Sequence, residues 1–189
     1  ALTSSPDPEV LTATVQPGEY SGLRLQVLAH KSLPGKGPGR SNRGNFVLNT
    51  FSAAIVAANG KSTPVTLTNA RADFSQKKWH VSGAIDSDSK SGWAISPQMG
   101  QNHEASFWNS KGFTVAASDR LRITLHHSYG NDHFIGRFRI EAFTGSPSDS
   151  PLPTDLRQLI GKADLRTAQE TKKLRDHFDA KADSPTQAA

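Results

Sequence analysis

The chain predicts an all-β sandwich of jelly-roll type with a short C-terminal helical appendage, and three observations carry that expectation. Segments alternating apolar and polar residues recur between turn signals; the composition is rich in chain-reversing residues, with Gly 15 and Pro 11 among 189; and helical spacing is confined to the residues beyond a Pro/Ser connector. Alternation at period two produces half-buried strands, and many short strands between Gly/Pro turns build sandwiches in preference to helical bundles. With 35% apolar residues the chain has enough for one principal core.

Residues 11–15 alternate, and residues 23–28 alternate more strongly, with Leu23, Leu25 and Val27 on one face and Arg24 and Gln26 on the other. Residues 31–45 are dense in Pro, Gly and cations and read as a long loop. An extended pattern follows over 45–56 through Phe46, Leu48 and Phe51, and further strands are expected at 65–67, 103–108, 121–127 and 136–143. The domain plan is a sandwich over 1–144, a connector over 145–153 and short helices over 154–189. The helices are placed at 155–160 and after Thr167-Ala-Gln-Glu170, a capping-box pattern ahead of Leu174 and Phe178, with a frayed end from 180.

Composition excludes several chemistries. With no cysteine there is no disulfide framework, thiol nucleophile or thiolate metal site, and no attachment motif for haem on this chain. No apolar run reaches membrane-spanning length, so membrane insertion is not expected. The net charge of +5 admits an anionic partner. Lys31, Lys36, Arg40 and Arg43 have no aromatic residue interleaved, the pattern of a solvated basic loop, so nucleic acid is not an expected partner.

The stretch from Ala84 to Trp93 is the most distinctive. Asp86, Asp88 and Ser91 place hard oxygens at short spacing, which suits calcium as a structural ion, and Gly92 lets the chain turn before Trp93. The alternative is a polar turn with a core tryptophan behind it. His126, His127 and His133 are close in sequence. Successive strand residues point to opposite faces, however, so a zinc site there needs a bulge, and a histidine-metal hydrolase is the least favoured of three functional readings. No nucleophile elbow, phosphate loop or His-Glu-x-x-His motif is present.

Gly22-Leu-Arg-Leu-Gln-Val-Leu28, Ser32-Leu-Pro-Gly-Lys-Gly-Pro-Gly-Arg40, Gly44-Asn-Phe-Val-Leu-Asn-Thr-Phe51 and Tyr129-Gly-Asn-Asp-His-Phe-Ile-Gly-Arg-Phe-Arg139, in that order, resemble a module of the large planctomycete cytochrome-c-type multidomain proteins. That resemblance implies an extracytoplasmic location and neighbouring domains of a larger chain as partners. The same segments are similar to galactose-binding-like domains of the discoidin and carbohydrate-binding-module kind. This second likeness implies a calcium loop in which Asp86, Asp88, Ser91 and Trp93 match the pattern, Glu141 supplies the last-strand acid, and Ser87 departs from the usual glycine.

A glycan-binding module needs an exposed aromatic face flanked by planar hydrogen-bonding groups. Tyr129, Asn131, Asp132 and His133 form one such loop, with Trp79, His80, His103 and Arg137 as candidate neighbours; Arg137 offers a fork for a carboxylate or sulfate. Trp93 and Trp108 are assigned to the core. The expectation is a non-catalytic extracytoplasmic module for a polysaccharide, in particular an anionic one. The alternative is an interdomain or protein-interaction module.

Overall fold

The computed structural model describes residues 8–86, 88–145 and 167–182. The chain divides into two compact units, Ala1–Ser150 and Pro151–Ala189, and the division falls inside the Pro/Ser connector.

Among its described residues the first unit contains eight strands: β1 (Glu9–Ala13), β2 (Gly18–Val27), β3 (Thr50–Val56), β4 (Ser62–Val65), β5 (Asn69–Ala72), β6 (His103–Val115), β7 (Arg120–His126) and β8 (Phe138–Phe143). They form two four-stranded sheets ordered β1-β7-β3-β4 and β5-β6-β2-β8. Every pairing is antiparallel. Alternation decides which faces meet. Leu23, Leu25 and Val27 of β2, with Ala105 and Phe107 of β6, pack against Phe51 and Ala53 of β3 and Leu121, Ile123 and Leu125 of β7 in one core. The Phe51 and Phe107 rings stack across the sheets with centroids 4.3 Å apart. Each such fully buried side chain contributes about 1.5–3 kcal/mol, which makes this shared face the main source of stability.

The structure departs from the sequence expectation in three places. The extended run expected over 45–56 divides: Leu48 makes only an isolated bridge to Trp93, and pairing with β7 begins at Thr50. Its early part is held by side-chain amides instead of a ladder. β5, Asn-Ala-Arg-Ala, gives no strong alternating signal, yet it pairs with β6 at Asn69↔Trp108 to Ala72↔Ala105. Trp108 is buried, as expected of a core residue, but it lies on the face of β6 opposite Phe107 and meets Phe143 edge-on at 5.5 Å.

On that outer face Arg24 bridges Glu104 at 3.2 Å and Glu141 at 3.5 Å. In the second unit, helix α1 (Ala168–Ala182) opens with the anticipated capping box. The Thr167 N–H donates to Glu170 Oε2 at 2.8 Å and the Glu170 N–H to Thr167 Oγ1 at 3.2 Å, satisfying amides that the first turn leaves without helical partners. The helix continues to Ala182, past the point where fraying was expected. The helix expected at 155–160, the connector from 146 and the tail from 183 lie outside the described residues. Among the described residues no helix is long and apolar enough to cross a membrane.

Candidate functional site

Val27 is in register with both His103 and Phe138, so the connections 28–49, 73–102 and 127–137 all leave the sandwich at one end. The connections at the other end, 14–17, 57–61 and 116–119, are short, and 66–68 crosses between the sheets part-way along their edge. Long loops on a rigid sheet scaffold are the usual place for binding chemistry. This end also carries most of the net charge. Lys31, Lys36, Arg40, Arg43, Lys77, Lys78, Lys90 and Arg137 stand against Asp73, Asp86, Asp88 and Asp132, a balance of +4 within a chain of +5.

The long loops extend the core between the sheets. Phe46, Leu48, Val81, Ala84, Trp93, Ile95 and Ile135 are all buried. Trp93 meets Phe46 edge-on at 5.0 Å and donates its indole N–H to the Phe74 carbonyl at 2.9 Å. Gly92 is required there, because a Cβ at that position would stand 2.7 Å from the Leu48 carbonyl oxygen.

Side-chain amides tie the loops together. Asn45 accepts from the Ile95 N–H and donates to Gln76. Asn49, only 2% exposed, accepts from the Ser128 N–H at 2.8 Å and donates to the Ser91 and Ser89 carbonyls at 2.8 and 3.3 Å. These amide hubs were missed in the sequence; an isolated Asn in a polar segment gives no sign of burial.

Upon this base three aromatic rings converge. Tyr129, 49% exposed, meets Trp79 edge-on with centroids 5.2 Å apart and His133 at 4.8 Å. Trp79 closes a tight turn with Gln76 in which Lys77 and Lys78 are exposed. His80 is exposed and its Nδ1 accepts from the Ser82 N–H, capping a single 3₁₀ turn. Asn131 and Asp132 are exposed at the loop tip, both left-handed with φ of 50° and 56°; Asn and Asp tolerate this conformation because their short polar side chains bond locally. His133 donates Nδ1–H to the Gly130 carbonyl at 3.0 Å.

Two of the candidate binding residues lie elsewhere. His103 is 2% exposed; its Nδ1 faces Asp73 Oδ2 at 3.0 Å and its Nε2 faces the Gln98 carbonyl at 2.7 Å. Two acceptors require two N–H donors, so the ring is held as imidazolium. Burial opposes the charge, but the Asp73 hydrogen bond, the Gln98 carbonyl and the Asp73 charge together outweigh it and raise the pKa above 6.5. His103 is thus a structural ion-pair partner, not a surface ligand. Arg137 is exposed beside Leu28, whose N–H donates to its carbonyl, and no described contact joins it to Tyr129.

His127 is 6% exposed. Desolvation, followed by repulsion from His126 and Arg40, lowers its pKa to about 4. It is a neutral acceptor for the Ile135 N–H at 3.4 Å.

Asp86 and Asp88 each cap a backbone amide two residues on. Asp86 Oδ1 accepts from the Asp88 N–H at 2.9 Å and the Ser91 hydroxyl lies 2.7 Å from it, while Asp88 Oδ1 accepts from the Lys90 N–H at 2.9 Å. Ser87 lies outside the described residues. Glu141 is engaged by Arg24 on the outer face of its sheet, and among the described residues no three His, Cys, Asp or Glu side chains group to hold a metal. The carboxylates are thus arranged as turn caps, without the converging acid that the resemblance implied. The expected result is one melting temperature whether calcium or a chelator is added; a fall on chelation would show that the loop holds a cation when folded.

Comparison of the chain with family models, with curated proteins and with solved structures finds no match in any of the three.

Proposed function

We propose that the chain is a non-catalytic, extracytoplasmic carbohydrate-binding module of galactose-binding-like jelly-roll type, acting within a larger multidomain protein and taking an anionic polysaccharide. The observation that supports this reading is the Trp79–Tyr129–His133 cluster, in which Tyr129 is exposed over two half-buried rings, on the loop end that carries +4 of the chain's charge. Aromatic faces stack on the apolar C–H face of a sugar, and surrounding cations raise the local concentration of a polyanion. Lys77 and Lys78 directly precede Trp79, and Asn131 and Asp132 present an amide and a carboxylate at the loop tip to read hydroxyls. Arg137, on the same loop end, serves as an outlying contact for a longer chain.

A glycan array carrying neutral, uronic-acid and sulfated polysaccharides tests the reading. Binding is expected to concentrate on the charged members and to weaken as salt rises from 0.05 to 0.5 M, since exposed charge pairs are screened over a Debye length of about 10 Å at 0.1 M. Arg137→Ala is expected to reduce binding of charged glycans selectively. Absence of binding to every glycan, together with capture of a neighbouring domain of the parent chain, would replace this reading with the interaction-module one.

A further inference from the structure

The strands that end the two sheets, β1, β4, β5 and β8, each leave one edge without a partner strand among the described residues. Edge strands are commonly kept short or given proline, because a free ladder invites another strand. β4 carries Pro64 and, like β5, is four residues long; β8, Phe-Arg-Ile-Glu-Ala-Phe, is the longest of the four edges at six residues and has no proline. One step beyond the Val27↔Phe138 pair, the Leu28 N–H donates to the Arg137 carbonyl at 2.8 Å. Antiparallel bonding alternates along a strand. Arg139 and Glu141 therefore bond inward to β2, and the N–H and C=O groups of Phe138, Ile140 and Ala142 point away from it, where no described strand meets them.

The apolar side chains of β8 are also incompletely covered. Leu23, Leu25 and Val27 of β2 are 0% exposed, but Phe138, Ile140 and Ala142, on the same inner face, are only half-buried. They border an apolar groove of about 270 Å³ whose other wall includes Leu11 of β1 and Val15 just after it. The sandwich is thus open along the seam between β1 and β8, whereas at the opposite edge the chain itself crosses from β4 to β5.

We infer that this edge is a homodimer interface, in which β8 pairs antiparallel with β8 of a second copy about a two-fold axis at Ile140. Ile140 then meets its own counterpart and Phe138 meets Ala142 of the second copy, all as hydrogen-bonded pairs, so the outward N–H and C=O groups of all three residues are satisfied in both copies. Arg139 stands opposite Glu141 of the second copy, twice by symmetry, in the non-hydrogen-bonded pairs that bring side chains closest. Opposite charges placed so attract and like charges repel. Moving the axis one residue, to Arg139 or to Glu141, would set that residue against its own copy, so charge selects the Ile140 register. Arg139 is exposed, and the Glu141 side chain, 3.5 Å from Arg24, is still 40% exposed. Such a self-complementary edge closes as a dimer and brings the two open seams face to face. It also turns the two loop ends in opposite directions, so the inference is independent of the glycan reading.

Sedimentation velocity of the full chain over about 0.01–1 mM, the range for a small interface, is expected to show a reversible monomer–dimer equilibrium. Hydrogen exchange on the same samples reads the register: the Phe138, Ile140 and Ala142 amides should gain protection as concentration rises, while those of Arg139 and Glu141 stay protected throughout. Arg139→Glu, at an exposed position, is expected to weaken the dimer at least about ten-fold without changing the melting temperature of the dilute protein. Mixing that variant with Glu141→Lys sets opposite charges against each other at both pairs and is expected to restore association as a heterodimer.

A chain that stays monomeric to the top of this range would overturn the inference. So would a dimer unaffected by Arg139→Glu, which would place the contact elsewhere, or full protection of the three outward amides in the dilute monomer, which would show the edge already covered within one chain.

Discussion

Replacing His103 with leucine is expected to destabilise the sandwich by about 3 kcal/mol below pH 6.5, the lower end for breaking a buried ion pair because the Asp73 carboxylate keeps partial access to water. The cost has a definite pH signature. His103 has a folded pKa raised above its unfolded value of 6.5, so its contribution is fully present below 6.5 and is lost as pH rises through the folded pKa. The difference between wild type and His103→Leu should therefore shrink in alkali.

His127 has the opposite sign. Its pKa falls from 6.5 to about 4 on folding, so the unfolded chain binds the proton first and stability declines as pH drops from 6.5 toward 4, by about 3 kcal/mol at 1.36 kcal/mol per pKa unit. Denaturant titrations from pH 4 into alkali should give a stability maximum near pH 6.5, where the two limbs meet. His103→Leu should flatten the alkaline limb alone, and an unaltered alkaline limb in that variant would show that the Asp73–His103 pair is not what titrates.

The second large effect is expected from Asn49→Ala, at about 3 kcal/mol. The change leaves the Ser128 N–H and the Ser91 carbonyl without the partners that Asn49 supplies at 2.8 Å each. Both bonds are only part-buried, so each group stranded in this way costs about 1.5 kcal/mol, toward the low end of the range for an unsatisfied partner. Because Ser128 directly precedes Tyr129, the variant should also loosen the aromatic cluster and weaken glycan binding while leaving all three rings in place. Hydrogen exchange at the Ser128 amide, read alongside the unfolding free energy, checks both parts. Unchanged protection there, with stability within about 0.5 kcal/mol of wild type, would remove Asn49 from its role as the hub.

The strands with strong alternation were legible in the sequence because one face of each is buried against a single partner layer. Leu23-Arg-Leu-Gln-Val shows this plainly, and so does Leu121-Arg-Ile-Thr-Leu, whose alternate residues are buried. The capping box at Thr167 was legible for a similar reason, since its signal lies entirely within four residues. β5 was not, because a four-residue strand of Ala, Asn and Arg owes its place to its neighbour β6.

Of the candidate site, Trp79, Tyr129 and His133 are adjacent in the fold although fifty residues separate the first two. That proximity depends on the buried amide of Asn49 and the half-buried amides of Asn45 and Gln76, whose partners lie on distant loops. His103 was misplaced because an imidazole facing Asp73 across the sheet edge reads, one residue at a time, like any polar strand end. An excursion of β6 over 109–112 was hidden in a run that counts as continuous strand, and only register against β2 exposes it.

The most direct test of the central claim is calorimetric titration of wild type and Tyr129→Ala with an anionic polysaccharide taken from the array. Tyr129 is half-exposed and outside the main core, so the variant should keep the wild-type melting temperature. Its affinity should nonetheless fall at least about ten-fold, the 1.4 kcal/mol expected when a stacking ring is removed from a sugar site. Equal affinity for the two proteins, with the same heat of binding, would contradict the claim that the Trp79–Tyr129–His133 cluster is where the glycan sits.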